Sequence, residues 1–252
     1  MKLLAWQKRA TSLSKQFSAA LPKPKSLLQI EGDVATLFIY SYIGVSYWDD
    51  EDAVTAKQIA KQLDELPVDC ELVVAINSPG GDTFEGEAIA SLIRQCTKPK
   101  SKTARIDGLC ASAATFIACA CPNVEMYVDA VYMIHRTWMF TIGNADDHRE
   151  SITLLEKMDG IAAGMFSRRT GKSVDECLDM MSAETWMTAG EAKDQSFVDK
   201  VFGQDGEEKE EGSPDSRIPA RSLLDDDWPR RRAQARVIVA QYDRDALSQK
   251  GK

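Results

Sequence analysis

A chain of 252 residues, 44% hydrophobic and 28% charged with a net charge of −8, has the composition of a globular protein with one substantial core, which excludes a disordered or fibrous chain. Residues 1–25 carry six Lys or Arg and no acid, whereas residues 26–202 hold 15 basic against 28 acidic side chains, so nucleic acid is not expected as a principal ligand. Lys8-Arg9 interrupts the apolar start Leu3-Leu4-Ala5-Trp6 before a secretory core or membrane span forms, so a cytoplasmic protein with no membrane association is expected.

From Leu27 onward strand-like and helix-like stretches alternate. Ala35–Tyr42 is rich in β-branched and aromatic residues and predicts a strand; Ala56, Ile59, Ala60, Leu63 and Leu66 lie at helical spacing within Ala53–Leu66. Leu72–Ile76 predicts a short apolar strand ending in a Pro-Gly-Gly turn, Glu85–Cys96 a helix and Thr103–Ile106 a strand. Small apolar residues over Ala113–Ala120 suit a helix packed tightly in the core. Val131–Ile134 reads as a strand and Asp147–Thr170 as the longest helix. Thr188-Ala189-Gly190-Glu191 has capping-box spacing for a short helix, and Phe197–Phe202 predicts the last strand. The alternation favours an α/β layered fold with parallel pairing. Cys70, Cys96, Cys110, Cys119, Cys121 and Cys177 show no zinc-ligand spacing, so neither a disulfide framework nor a metal or other cofactor is expected.

This places a compact domain at residues 27–202, after a basic segment at 1–26. Residues 203–217 are acidic, contain Gly, Ser and Pro, and nearly lack large apolar groups, so a disordered linker is expected there. In the tail, 218–252, Asp225-Asp226-Asp227-Trp228-Pro229 precedes Arg230-Arg231-Arg232, and Ala233–Leu247 reads either as a partly ordered tail or as a docking helix for an assembly partner.

Three short motifs carry chemistry: Asn77-Ser78-Pro79-Gly80-Gly81, Ser112 within Gly108-Leu109-Cys110-Ala111-Ser112-Ala113, and His135 after Met133-Ile134. Alone, each has a plain structural meaning: a turn, a helix-cap serine and a strand-end histidine. Together they offer a nucleophile, a base and backbone donors, the three needs of acyl transfer at a serine. The only other histidine is His148, in the hydrophilic run Asp146-Asp147-His148-Arg149-Glu150, which reads as a solvated helix start. Trp138, Met139 and Phe140 read as pocket lining or as core packing.

Across about residues 27–202 the chain resembles the Clp-type serine proteases, in particular their phage and prophage head maturation branch. Ile76 to Gly81 matches the family's glycine loop, Gly108-x-x-Ala111-Ser112 its nucleophile motif, and Met133-Ile134-His135 its base motif at an interval of 23 residues. The resemblance implies a Clp/crotonase-like spiral of β-β-α units with a protruding helix, followed by a flexible C-terminal tail. It implies Ser112 as nucleophile, His135 as base, the amides of Gly81 and Ala113 as oxyanion hole, and Gly80 in the substrate-binding loop. The third member falls on Glu184, because Trp186-Met187-Thr188-Ala189-Gly190-Glu191-Ala192 matches the stretch that follows the family's aspartate; Asp179 is the other candidate. Implied partners are a protein or peptide substrate, a second copy in a homo-oligomeric ring, and capsid or scaffold proteins.

The head maturation reading is favoured by the basic N-terminal segment and the long stretch after Phe202. Its alternatives are a housekeeping subunit beneath an ATP-driven unfoldase, a crotonase-like acyl-CoA enzyme on a related spiral, and a catalytically silent scaffold. No nucleotide-binding P-loop is present in the sequence, so ATP dependence would come from a partner.

Overall fold

The computed structural model describes residues 26–44 and 53–203. The expectations for the basic segment, the linker and the tail lie outside these residues apart from Ser26 and Gly203. The described residues form one eight-stranded sheet with six helices: β1 (Leu28–Glu31), β2 (Val34–Ile39), α1 (Ala56–Asp64), β3 (Glu71–Ser78), α2 (Thr83–Gln95), β4 (Ser101–Ala111), α3 (Ala114–Ala118), β5 (Asn123–Tyr127), β6 (Val131–Ile134), α4 (Ala145–Thr170), α5 (Val174–Ser182), β7 (Thr185–Thr188), α6 (Ala189–Asp194) and β8 (Lys200–Phe202). The expected mixed α/β architecture is present.

The sheet order is β1-β2-β3-β4-β5-β8, and every pair from β2 onward is parallel while β1 runs antiparallel to β2. Strand β4 is eleven residues long and serves two partners. Its first half pairs with β5 over Thr103–Ile106, and its second half pairs in parallel with β6, Leu109 to Ala111 against Val131 to Met133. Strand β7 closes that side, antiparallel to β6. The expectation of a strand ending at Ile106 is therefore corrected. Asp107 and Gly108 look like a break in sequence, but the strand continues through a register shift opposite Ile76–Ser78, where the Leu109 amide donates to Asn77 Oδ1 at 3.0 Å. A side chain at Gly108 would press on that amide oxygen, so the shift requires glycine.

Two-residue periodicity sorts the strands into faces. Ala35, Leu37 and Ile39 of β2, Leu72, Val74 and Ile76 of β3, and Ala104 and Ile106 of β4 pack with Ile59 and Leu63 of α1 and Ile89 and Ile93 of α2 into the main core. On the other face Val34 and Val73, and Phe38, Tyr40 and Ala75, form separate small clusters. There Asp107 accepts from the Tyr40 hydroxyl and from Arg105 Nε at 2.8 Å and Nη2 at 3.1 Å. Arg105 is buried, and the fork-like pairing is what makes its charge tolerable there.

Helix α4 begins with the capping box of Asn144 and Asp147 and stops at Gly171, which takes the left-handed conformation at φ +76. Its buried residues start only at Met158, so the preceding turns project from the body, in line with the expected protruding helix. No described helix is long and apolar enough to cross a membrane. Ser173 and Glu176 form the same kind of capping box for α5, a serine followed three residues later by glutamate, yet the sequence reading did not mark this helix, nor β5 or β7. The final strand also needs correction: only Lys200–Phe202 is extended. The amides of Phe197 and Val198 instead donate to Ala192 O, closing the end of α6, so these two residues are apolar because they enter the core. Phe197 stacks between Tyr132 and Phe166 at 5.2 and 5.7 Å, and Phe166 reaches Phe116 at 5.9 Å.

This aromatic chain ties α3, α4 and β6 to the loop before β8. Phe197→Ala should lower the unfolding free energy by about 3–5 kcal/mol, the usual cost of an emptied phenylalanine site. Urea denaturation followed by tryptophan fluorescence checks it, and a loss below about 1 kcal/mol would mean the site collapses without penalty.

Candidate active site

Parallel strands β4 and β6 end at the same edge of the sheet, and each delivers one reactive side chain there. Ser112 follows β4 directly, and its amide donates to Met133 O of β6 at 2.9 Å. His135 follows the last residue of β6. The result is a contact of 2.7 Å between His135 Nε2 and Ser112 Oγ. With the imidazole protonated on Nδ1, the serine hydroxyl donates to Nε2, the geometry needed to remove its proton.

Ser112 sits at φ +55, a left-handed conformation that costs a residue with a side chain about 1–2 kcal/mol. The turn is held by Ser112 O, which accepts from the Thr115 amide at 2.9 Å and from Thr115 Oγ1 at 2.5 Å. Helix α3 starts just beyond, with Ala113 at its cap and no side-chain cap bond. The serine hydroxyl is thus turned to the histidine and does not cap the helix.

Burial disfavours the charged imidazole and lowers the His135 pKa, while the negative charges of Glu184 and Asp159 push it back up. The ring is therefore neutral at pH 7 and available as a base. Among the described residues no hydrogen bond joins Glu184 to His135. The Glu184 carboxylate accepts from the Trp186 indole at 3.3 Å and acts on the ring as a nearby charge. Glu184 is itself left-handed at φ +51. Asp179 lies exposed on α5 and is not among the charges that act on His135.

The glycine loop faces Ser112. Gly80, at φ +89, lies so close to the serine turn that a side chain there would meet Ala111 O, Ser112 Cβ at 2.8 Å and Ala113 N at 2.9 Å. Only glycine leaves the space beside Ser112 and the Ala113 amide open. Gly81 pairs with Ile43 through Gly80 O and the Asp82 amide, a bridge that leaves the Gly81 amide outside the pairing. Ser78 fixes the loop from beneath: its hydroxyl donates to Ser41 O at 2.6 Å and accepts from the Gly80 amide at 3.1 Å. Gly86 of α2 lets that helix rest against Ala113, where a side chain would come within 2.9 Å of Ala113 Cβ.

The remaining sequence-marked residues stay apart from this cluster. His148 is exposed on α4 and bonds Thr141 Oγ1 at 2.6 Å. Trp138, Met139 and Phe140 are exposed, which corrects the core-packing alternative for them. All six cysteines are free, and burial pushes the Cys121 thiol up to about 12, well away from a reactive thiolate. No described cluster of His, Cys, Asp and Glu could hold a metal ion.

A family model described as Clp protease matches residues 36–205, most of the chain and the whole of this site. The chain belongs to the Clp protease family. It is 30% identical over 154 residues to the ATP-dependent Clp protease proteolytic subunit 3 of Rhizobium meliloti, covering 58% of this chain and 76% of that protein. It is equally 30% identical over 128 residues to the ATP-dependent Clp protease proteolytic subunit 2 of Bifidobacterium longum, covering 50% of this chain but only 61% of that protein. Among solved structures, an Asn-to-Asp mutant of ClpP1 from Listeria monocytogenes superposes with a TM-score of 0.56 at 24% identity, over 68% of this chain and 92% of that one, and shows the shared fold.

Within this Clp protease fold, sequence reasoning missed Asn77, Ser78, Gly86 and Gly108 as individual supports of the site, although Asn77 and Ser78 lie inside the glycine motif and Gly108 opens the nucleophile motif. Ser78→Ala would leave Ser41 O and the Gly80 amide without their buried partner and should cost about 1–3 kcal/mol of stability. Equilibrium unfolding in urea measures this; a change below about 0.5 kcal/mol would show that the loop holds without the hydroxyl.

Proposed function

We propose that this chain is a serine endopeptidase, with Ser112 as nucleophile, His135 as general base and then general acid, and Glu184 as the charge that stabilises the imidazolium. The observation that carries this reading is the 2.7 Å contact between His135 Nε2 and Ser112 Oγ at the common edge of β4 and β6. The hydroxyl attacks the scissile carbonyl as its proton passes to Nε2, and the tetrahedral oxyanion forms beside the Gly81 and Ala113 amides. Collapse expels the amine, which takes the proton from His135; water then repeats the sequence on the acyl-enzyme and frees the serine. No metal or cofactor enters this scheme. An acyl-CoA enzyme would have no use for the Ser112–His135 pair.

We assign the biological role to prohead maturation, cleavage of scaffold or capsid protein in the cytoplasm of a bacterial host by a ring of identical subunits. This rests on the basic segment before the family match, the sequence of about fifty residues after Phe202, and the Trp-Met-Thr-Ala-Gly-Glu-Ala form of the acid motif. A second reading, a subunit working beneath an ATP-driven unfoldase, draws on the names of the relatives, which are ATP-dependent Clp protease proteolytic subunits. The two readings differ in what the purified chain does to a folded scaffold-type protein in the absence of any ATPase: cleavage supports the first and inertness the second.

Incubation with a fluorophosphonate followed by intact mass measurement tests the chemistry directly. A single adduct on Ser112 is expected, absent in Ser112→Ala and slowed at least about a hundredfold in His135→Ala. An assembled sample that takes up no label would make the chain a silent scaffold. The labelling rate should rise with pH through a limb centred below the ordinary histidine value of about 6.5, because burial lowers the His135 pKa and the neutral ring is the active form. Glu184→Gln removes a charge that favours the imidazolium, so its limb should lie lower still and its plateau should fall; a limb unchanged from wild type would remove Glu184 from the triad.

A further inference from the structure

Asp159 is a buried carboxylate in the middle of α4, 4% exposed, and no step of the reaction above uses it. Both of its oxygens are bound to the two residues that follow His135. Oδ1 accepts from the Thr137 amide at 2.8 Å, and Oδ2 accepts from Arg136 Nη1 at 3.1 Å. Arg136 then reaches the C-terminal end of α5, donating from Nε to Ser182 Oγ at 2.6 Å and from its amide to Met181 O at 3.2 Å. The Glu184 amide donates to that same Met181 carbonyl at 3.1 Å. One hydrogen-bonded chain thus runs from α4 through the segment after His135 to the turn that carries Glu184.

A carboxylate removed from water is stable only when its oxygens are satisfied, and here the partners belong to the backbone and side chain adjoining the imidazole. We propose that Asp159 is a positioning residue for His135, holding the segment after the ring against α4, linking it through Arg136 to the Glu184 turn, and placing a second negative charge near the ring. This rests on the serine endopeptidase reading. The groups that face His135 are Ser112 from the turn after β4, Glu184 from the turn before β7 and Asp159 from α4, with Arg136 beside it as the opposing charge. Two carboxylates at a distance thereby take over part of the support that a triad with a directly bonded acid gives to its imidazolium.

The test is the rate of Ser112 phosphonylation in the assembled full chain, measured from about pH 5 to about pH 9 for wild type, Asp159→Asn and Arg136→Met. Asp159→Asn keeps an oxygen for the Thr137 amide but loses the charge; its plateau rate should fall about tenfold, and its acid limb should move to lower pH because a charge that favours the imidazolium is gone. Arg136→Met, at a partly exposed side chain, breaks the link to Ser182 while leaving the carboxylate. It should slow labelling several-fold without lowering the limb. A limb and plateau in Asp159→Asn equal to wild type would overturn the proposal, as would a wild-type rate in Arg136→Met, which decides the matter if Asp159→Asn does not assemble. Failure of wild type itself to label Ser112 would sink the endopeptidase reading and this inference with it, whereas normal wild-type labelling with indifferent variants would sink this inference alone.

Discussion

The parallel pairing of the second half of β4 with β6 is the constraint on which the site depends. Parallel strands place their C-terminal ends at the same edge, and three pairs, Leu109 with Val131, Cys110 with Tyr132 and Ala111 with Met133, set how far each strand runs before it ends. Ser112 is the first residue beyond that ladder on β4 and His135 the second beyond it on β6, which brings Oγ and Nε2 to hydrogen-bond distance although 23 residues separate them in the chain. A one-residue slip would turn every side chain of β6 to the opposite face and break the contact. Tyr132 is fully buried against Phe197, so the core resists such a slip.

The pairing is possible only because β4 changes partners midway. Its first half follows β3 and β5 in the main sheet; its second half leans to β6 after the shift at Gly108. Asn77 occupies the gap that the shift opens, supplying from a side chain the acceptor that a regular ladder would supply from the backbone. The residue that repairs the sheet thus belongs to the same motif as the glycine loop beside Ser112. Ser78, the next residue, ties that loop to Ser41. Sheet geometry and loop geometry are in this way set by neighbouring side chains.

Burial acts in two directions at the site. It weakens the charged form of His135, which keeps the ring a base at neutral pH, and it strengthens the effect of any nearby carboxylate because less water screens it. Glu184 and Asp159 reach the ring from different elements, one from the strained turn after α5 and one from the middle of α4. Strain at Ser112 and Glu184 is tolerated because each lies in a turn whose neighbouring amides and carbonyls are already bonded.

The α/β alternation, the parallel core strands, the long helix and the three motifs were all legible in the sequence, because each rests on local periodicity or on a residue type with few other uses. Val131–Ile134 coincides with β6, and the capping box at Thr188 and Glu191 opens α6. Apart from α5, whose capping box at Ser173 and Glu176 is local, the features that were not read depend on contacts distant in the chain. The continuation of β4 past Ile106 depends on Asn77, the apolar run at Phe197 and Val198 belongs to a helix end and the core, and Asp159 meets Arg136 and Thr137 only because α4 packs against the segment after β6. By itself the sequence determined which chemical groups this protein has and the elements that bear them, since propensity, capping and glycine requirements act over a few residues. Tertiary structure alone decided how those groups face one another, because the register of nonlocal strand pairing and the burial of a side chain are properties of the assembled core.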